Sequence, residues 1–138
     1  MVMRRAETII AKPADEVWAR IRDFGDVSWI PGVASCTLDG DVRTIMMQGL
    51  DFPIVQQMLH RDDAARSYSY GFLGELDMEP IFGPGHIVRD FEATLTVTPE
   101  GPGSSRVTYD VDTAEFLVDG VHAEYQGSVE NLKAELEG

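Results

Sequence analysis

The chain has 138 residues, 43% of them apolar, and 24 acidic against 11 basic side chains give it a formal net charge of −13. That length suits a single domain, residues 1–138, which buries roughly two-thirds of its unfolded surface without needing staples. The charge argues against nucleic acid and anionic membrane, both recognised through concentrated Lys and Arg, and no stretch approaches the ~20 apolar residues of a spanning helix.

In chain order, Met3 to Ile10 reads as a first strand. Lys12-Pro13 then opens a helix, with proline suited to the first helical position and Asp15 and Glu16 in the turn where the helix dipole favours negative charge. Ala14, Val17, Trp18 and Ile21 share one face, and Gly25 ends the helix. A second short helix is expected over Asp26 to Ile30, stopped by Pro31-Gly32. From Val33 the period becomes two, and strands are expected at 34–39, 42–49, 54–62, 67–73, 85–98 and 104–116. Asp39-Gly40 marks a two-residue hairpin with positive φ at both turn positions; 62–66 and 99–103 supply two more reversals. Helical period returns over Asp119 to Leu136, with Asp119 as N-cap and Val121, Tyr125, Val129, Leu132 and Leu136 in one apolar stripe.

The single cysteine, Cys36, excludes an intramolecular disulfide and a cysteine-based zinc site, and reads as a small half-buried core residue. Met1 to Arg5 is basic but no apolar signal core follows, so a cytoplasmic protein is expected. These elements predict an α+β domain in which a seven-stranded antiparallel sheet meets one long C-terminal helix. A twisted, curved sheet cannot touch a straight helix along its whole length, and the gap between them is where a small ligand would sit.

Pro13 to Phe24, with its Val17-Trp18 pair and Asp23-Phe24 ending, resembles the opening motif of the START/Bet v 1-like superfamily, in particular its polyketide cyclase/dehydrase and lipid transport branch. Trp29 matches the aromatic of that family's second short helix; Asp62 to Arg66 with Tyr68-Ser69-Tyr70 resembles its central hairpin, and 94–99 with 105–109 its last. The resemblance spans essentially the whole chain. It implies the helix-grip fold, with a curved sheet around the long helix and two short helices after the first strand. It also implies a small hydrophobic ligand of lipid, polyketide or isoprenoid type, held by a monomer or homodimer with no cofactor, no metal and no stable membrane insertion. The chain departs from the family at Gln56, where Glu is frequent, at Tyr109, where Trp is frequent, and in a longer segment from Gly74 to Gly85.

If Val97 pairs with Val107, then Leu95 faces Tyr109, Ala93 faces Val111 and Phe91 faces Thr113 on the inner side, and Arg89 falls opposite Glu115. That last pair reads either as a charged anchor for a ligand or as an ion pair at the rim. Tyr68, Tyr70 and Phe72 share the inner face, and a buried tyrosine hydroxyl needs a partner. The expected ligand-binding set is Met58, Tyr68, Tyr70, Phe72, Phe91, Tyr109, Phe116, Val121, Tyr125 and Val129. Met46, Met47, Met58 and Met78 suit either a tolerant pocket or ordinary core. His122, Arg89 and Glu115 are the candidates for proton transfer if the protein is an enzyme, whereas His60, His86 and His122 have no metal-ligand spacing. Asp90 and Glu92 alternate with inward residues and should face water. The apolar Leu76, Met78, Ile81 and Phe82 suggest that 74–85 folds over the cavity as a lid. Carriage of a small apolar molecule, a cyclase or dehydratase, and an interaction module with a filled cavity all remain open at this stage.

Overall fold

A computed structural model describes residues 1–138. The elements run β1 (Val2–Ile10), α1 (Ala14–Ile21), β2 (Val33–Asp39), β3 (Val42–Met47), β4 (Ile54–Asp62), β5 (Ser67–Phe72), β6 (Leu76–Asp77), α2 (Glu79–Phe82), β7 (Ile87–Val88), β8 (Phe91–Gly101), β9 (Ser104–Thr113) and α3 (Glu115–Glu137). Seven strands form one antiparallel sheet in the order β1-β9-β8-β5-β4-β3-β2, and β6 and β7 make a separate two-stranded ribbon.

The alternating pattern places the last hairpin in the expected register: Val97 pairs with Val107, Leu95 with Tyr109, Ala93 with Val111 and Phe91 with Thr113. The inner face they define is buried, and α1 adds Ala14, Val17, Trp18 and Ile21 to the same core. Trp18 Nε1 donates to Asp63 Oδ1 at 3.0 Å, and Arg22 reaches the same carboxylate, so α1 is pinned to the β4–β5 turn.

Only one short helix follows β1. Over Asp26 to Ile30 the Asp26 carboxylate accepts from the Ser28 amide at 3.1 Å, and a single Ile30 N to Val27 O bond at 2.9 Å closes an isolated turn. A side chain competing for backbone donors, and Pro31 immediately after, leave no room to propagate a helix. The first hairpin also shifts by one residue. Asp39 pairs with Val42, so the turn is Gly40-Asp41, with Gly40 alone at positive φ, as a type II′ hairpin requires.

The long helix begins at Glu115, four residues before the expected N-cap Asp119, with Ala114 as the capping residue. β9 stops at Thr113, whose Oγ1 donates to Asp90 O at 2.8 Å, and β8 starts at Phe91. The strands therefore end before Arg89 and Glu115, and the expected cross-strand pair does not form. Arg89 meets Glu75 on the surface instead, at 3.3 Å.

Helix α3 packs along β1 and β9, at one edge of the sheet. Its side chains satisfy the free backbone edge of β1: His122 Nε2 reaches Arg5 O at 3.0 Å, Gln126 bonds both the amide and carbonyl of Glu7, and Lys133 donates to Ile9 O at 2.7 Å. An open strand edge is thereby covered rather than left to pair with another chain. This one-sided docking carries the helix away from β3, β4 and β5, and the cavity opens there.

Two helix-interior glycines, Gly120 and Gly127, border that opening, and a Cβ at either would meet nothing within 4 Å. Glycine costs a helix about 1 kcal/mol relative to alanine. Gly127→Ala is therefore expected to raise unfolding free energy by about 1 kcal/mol in urea titrations; a loss of stability would mean that the position is tighter than its geometry shows.

Candidate functional site

The cavity has a volume of about 580 Å³, and 17 of its 26 lining residues are hydrophobic, so most of its wall is apolar. Ligand pockets commonly span about 300–1,000 Å³. Ile45, Met47, Ile54, Phe72 and Phe91 come from the sheet, Leu117 and Val121 from α3, and Leu76, Met78, Ile81 and Phe82 from the 74–85 segment.

That segment folds as β6, α2 and the approach to β7. Asp77 caps the Glu79 amide at 2.9 Å, the Glu79 carboxylate accepts from the Gly85 amide, and His86 Nδ1 meets Gly83 O at 2.9 Å. Leu76 and Met78 are buried, while Ile81 and Phe82 stay exposed at the cavity mouth. Phe116, in the first turn of α3, makes edge contacts with both Phe82 and His86, at 5.2 and 4.8 Å. The apolar loop thus sits between sheet and helix, over the opening.

Away from the mouth, polar groups converge on the buried side. Residues 43, 45 and 47 alternate onto the inner face of β3, and Arg43 pairs directly across to Gln56 on β4. Arg43 is only 1% exposed. Its Nε donates to Gln56 Oε1 at 2.7 Å and one terminal nitrogen donates to Phe24 O at 3.1 Å. The guanidinium carbon stands 4.0 Å from the Phe24 ring centroid and 4.7 Å from that of Tyr70, within cation–π range. Burial, the largest influence, works against the Arg43 charge, and coulombic attraction to the tyrosines raises its pKa only in the alkaline range where they ionise. Beside it, the Tyr70 hydroxyl lies 2.5 Å from that of Tyr109 and 2.6 Å from that of Tyr125, and the Tyr109 and Tyr125 rings stack at 3.7 Å. Burial raises the pKa of all three hydroxyls, against the pull of Arg43, so they remain protonated. Glu124 is the one carboxylate on the wall; it sits at the exposed rim, where partial desolvation raises its pKa.

Six of the ten residues expected to bind ligand border the cavity: Tyr70, Phe72, Phe91, Tyr109, Val121 and Tyr125. The other four do not. Tyr68 is covered by Trp18 and Phe24, at 5.9 and 5.7 Å between rings. Val129 is fully buried in the core, Met58 packs against that core just before the bulge in β4, and Phe116 holds the 74–85 segment. Of the methionines, Met47 and Met78 line the wall. None of His122, Arg89 and Glu115 borders the cavity: His122 is bound to the edge of β1, Arg89 to Glu75, and Glu115 lies in the first turn of α3. Arg43 was legible as the charged member of an inward-facing Arg43, Ile45, Met47 alternation, a signal that reading for histidines and carboxylates passes over.

A model of the family described as polyketide cyclase/dehydrase and lipid transport matches residues 1–137. The chain belongs to that family. Comparison with the curated proteins finds no match. Among solved structures, an uncharacterized protein from Bacillus thuringiensis is similar at 19% identity and a TM-score of 0.84, covering 99% of this chain and 100% of that one. The di-domain ARO/CYC BexL from the BE-7585A biosynthetic pathway is similar at 15% identity and a TM-score of 0.78, over 99% of this chain and 47% of its own. Norcoclaurine synthase from Thalictrum flavum, in complex with dopamine and hydroxybenzaldehyde, is similar at 16% identity and a TM-score of 0.67, over 97% and 87%. These likenesses show a shared fold. No helix here is long and apolar enough to cross a membrane.

Proposed function

We propose that the protein binds and carries a small, largely apolar molecule in the cavity between the sheet and α3. The observation that carries this reading is the 580 Å³ space itself, apolar over most of its wall and polar at one buried end. An apolar body would displace water from Ile45, Ile54, Phe72, Phe91 and Val121 at about 25 cal/mol per Å² of surface covered. The polar end would then set its orientation. Family membership supports the reading, since the family includes lipid transport. A monomer or homodimer in the cytoplasm would suffice for it.

A second reading, a cyclase or dehydratase, draws on the family description and on the ARO/CYC and synthase among the similar structures. The Tyr70 hydroxyl, on the ring over which Arg43 stands and held protonated by burial, would be its proton donor. Against it, the buried end holds no histidine or carboxylate to serve as base, and Glu124, the one carboxylate on the wall, is exposed.

Native mass spectrometry of the gently purified protein, beside a denatured control, separates the two. A small molecule that leaves unchanged on denaturation supports carriage. A bound species that differs in mass from the molecule supplied supports catalysis. Loss of both when Val121 is enlarged to Trp, with the circular dichroism spectrum retained, would place the site in this cavity.

On this reading the 74–85 segment, resting on Phe116, acts as a lid that tightens over bound ligand. Amide exchange across residues 75–88 is expected to slow severalfold when ligand is added, while β8 and β9 stay unchanged; unaltered exchange in 75–88 removes the lid from the account.

A further inference from the structure

The buried end of the cavity has an imbalance of charge and of hydrogen-bond donors. Seven of the nine arginines meet a carboxylate: Arg4, Arg5, Arg20, Arg22, Arg66, Arg89 and Arg106. The two exceptions are Arg61, half-buried near the surface, and Arg43, which is shut away from water. A chain with 24 acidic residues has placed none against its most buried cation. The position directly across the sheet, where a carboxylate would fit, holds the neutral Gln56.

Donor counting leads to the same place. A guanidinium has five N–H groups and accepts nothing. Gln56 Oε1 and Phe24 O each take one. These are dipoles, not counter-charges. Arg43 stands over the Tyr70 ring, and the hydroxyls of Tyr70, Tyr109 and Tyr125 carry three protons but make only two contacts among themselves. Whichever way those two bonds point, one O–H is left without an acceptor inside the triad. Cation and triad both border the cavity, while the only carboxylate on its wall, Glu124, is at the rim and makes no bond to Arg43. Every buried side-chain nitrogen and oxygen has at least one partner; what is missing is a counter-charge for Arg43 and acceptors for the surplus donors, and a buried charge without its counter-charge is costly.

Resting on the carriage reading above, we infer that the ligand is an apolar molecule ending in a carboxylate, which seats its acceptor-only head on Arg43 and the spare hydroxyl of the Tyr70–Tyr109–Tyr125 triad. Such a head supplies the missing negative charge and accepts every donor left over, and its apolar body lies along the Ile45, Ile54, Phe72 and Phe91 wall. A neutral alcohol would share the wall but bring an O–H into a site already rich in donors. A cationic amphiphile would meet Arg43 with like charge.

The test is isothermal titration of the full chain with two matched pairs, decanoate against 1-decanol and 2-naphthoate against 2-naphthylmethanol, in the wild type, Arg43→Met and Gln56→Glu. The wild type should prefer the acid of at least one pair by about tenfold or more, as a charge-assisted bond gives. The pair that binds tells whether an aliphatic or an aromatic body is favoured. Arg43→Met should abolish the preference while leaving affinity for the alcohol within about threefold. Gln56→Glu, which supplies the carboxylate internally and keeps Arg43 buried, should do the same without removing the cation. Equal affinity for acid and alcohol in the wild type overturns the inference and leaves the apolar cavity standing. Absence of binding by both alcohols and both acids overturns the carriage reading itself. An acid preference that survives in both variants shows that the head group is read somewhere other than Arg43.

Discussion

Trp29→Ala should remove about 3–5 kcal/mol of stability, the cost of truncating a fully buried large aromatic. Trp29 is 1% exposed although it lies in the irregular stretch between α1 and β2. Its ring packs 6.1 Å from that of Tyr109, and its carbonyl accepts from Asn131 Nδ2 at 2.9 Å, so one residue ties this connection to both the sheet and α3. The backbone bond would survive the substitution; the packing would not. Domains are commonly stable by only about 5–15 kcal/mol, so the loss is a large fraction of the total, and the melting temperature should fall by roughly 10–15 °C. Trp29→Phe, which keeps a ring against Tyr109, should lose distinctly less. Chemical denaturation followed by circular dichroism checks both. A loss below about 1 kcal/mol for Trp29→Ala would show that the connection is held by its backbone bonds alone. The same variant bears on the site, because Tyr109 would keep Tyr125 on its face but lose the neighbour that fixes it from the side of the loop.

How far such features can be read from residues alone differs from element to element. The β8–β9 register follows from alternation, because a slip of one residue would turn Leu95, Val97, Val107 and Tyr109 out to water. Alternation also separates inner from outer positions, and Asp90 and Glu92 are indeed exposed. It does not say where a strand stops. Extending the ladder by one more inward pair produced Arg89 opposite Glu115, whereas Thr113 closes the ladder on Asp90 and the chain turns straight into α3. Five residues, Asp26 to Ile30, are too few for periodicity to tell a helix from a turn, and the Asp26–Ser28 bond decides for the turn. Nor does a strand pattern reveal where a helix stands clear of a sheet. Tyr68 and Tyr70 are equivalent in alternation, yet α1 covers one and the cavity opens beside the other. That offset is set by α3 docking on β1 and β9, through contacts between residues more than a hundred positions apart.

Alkaline pH should unfold the protein steeply, starting just above pH 10. All four tyrosines of the chain, Tyr68, Tyr70, Tyr109 and Tyr125, are buried, and burial raises the pKa of each above the ordinary value of 10.0. The sign follows from which state releases protons first. Below pH 10 every tyrosine is neutral whether the chain is folded or not, and the groups leave stability unchanged. Above it the unfolded chain loses these protons while the folded chain retains them, so stability falls as pH rises until the folded values are reached. Each tyrosine subtracts about 1.4 kcal/mol per pH unit until its own folded value is reached, so several together exhaust a typical domain within a few units. Tyrosinate absorbance should therefore rise in one cooperative step that coincides with loss of the far-ultraviolet circular dichroism signal. Gradual ionisation in a chain that stays folded would mean that at least one hydroxyl releases its proton inside the native cavity. Arg43, which favours the ionised form of its neighbours, makes Tyr70 the candidate, and Tyr70→Phe would identify it by removing that gradual phase. The result bears directly on what the cavity can do. A triad that titrates only on unfolding is a fixed set of donors suited to holding an anion, whereas a Tyr70 that ionises in place beside Arg43 is a base, and would move weight from carriage to catalysis.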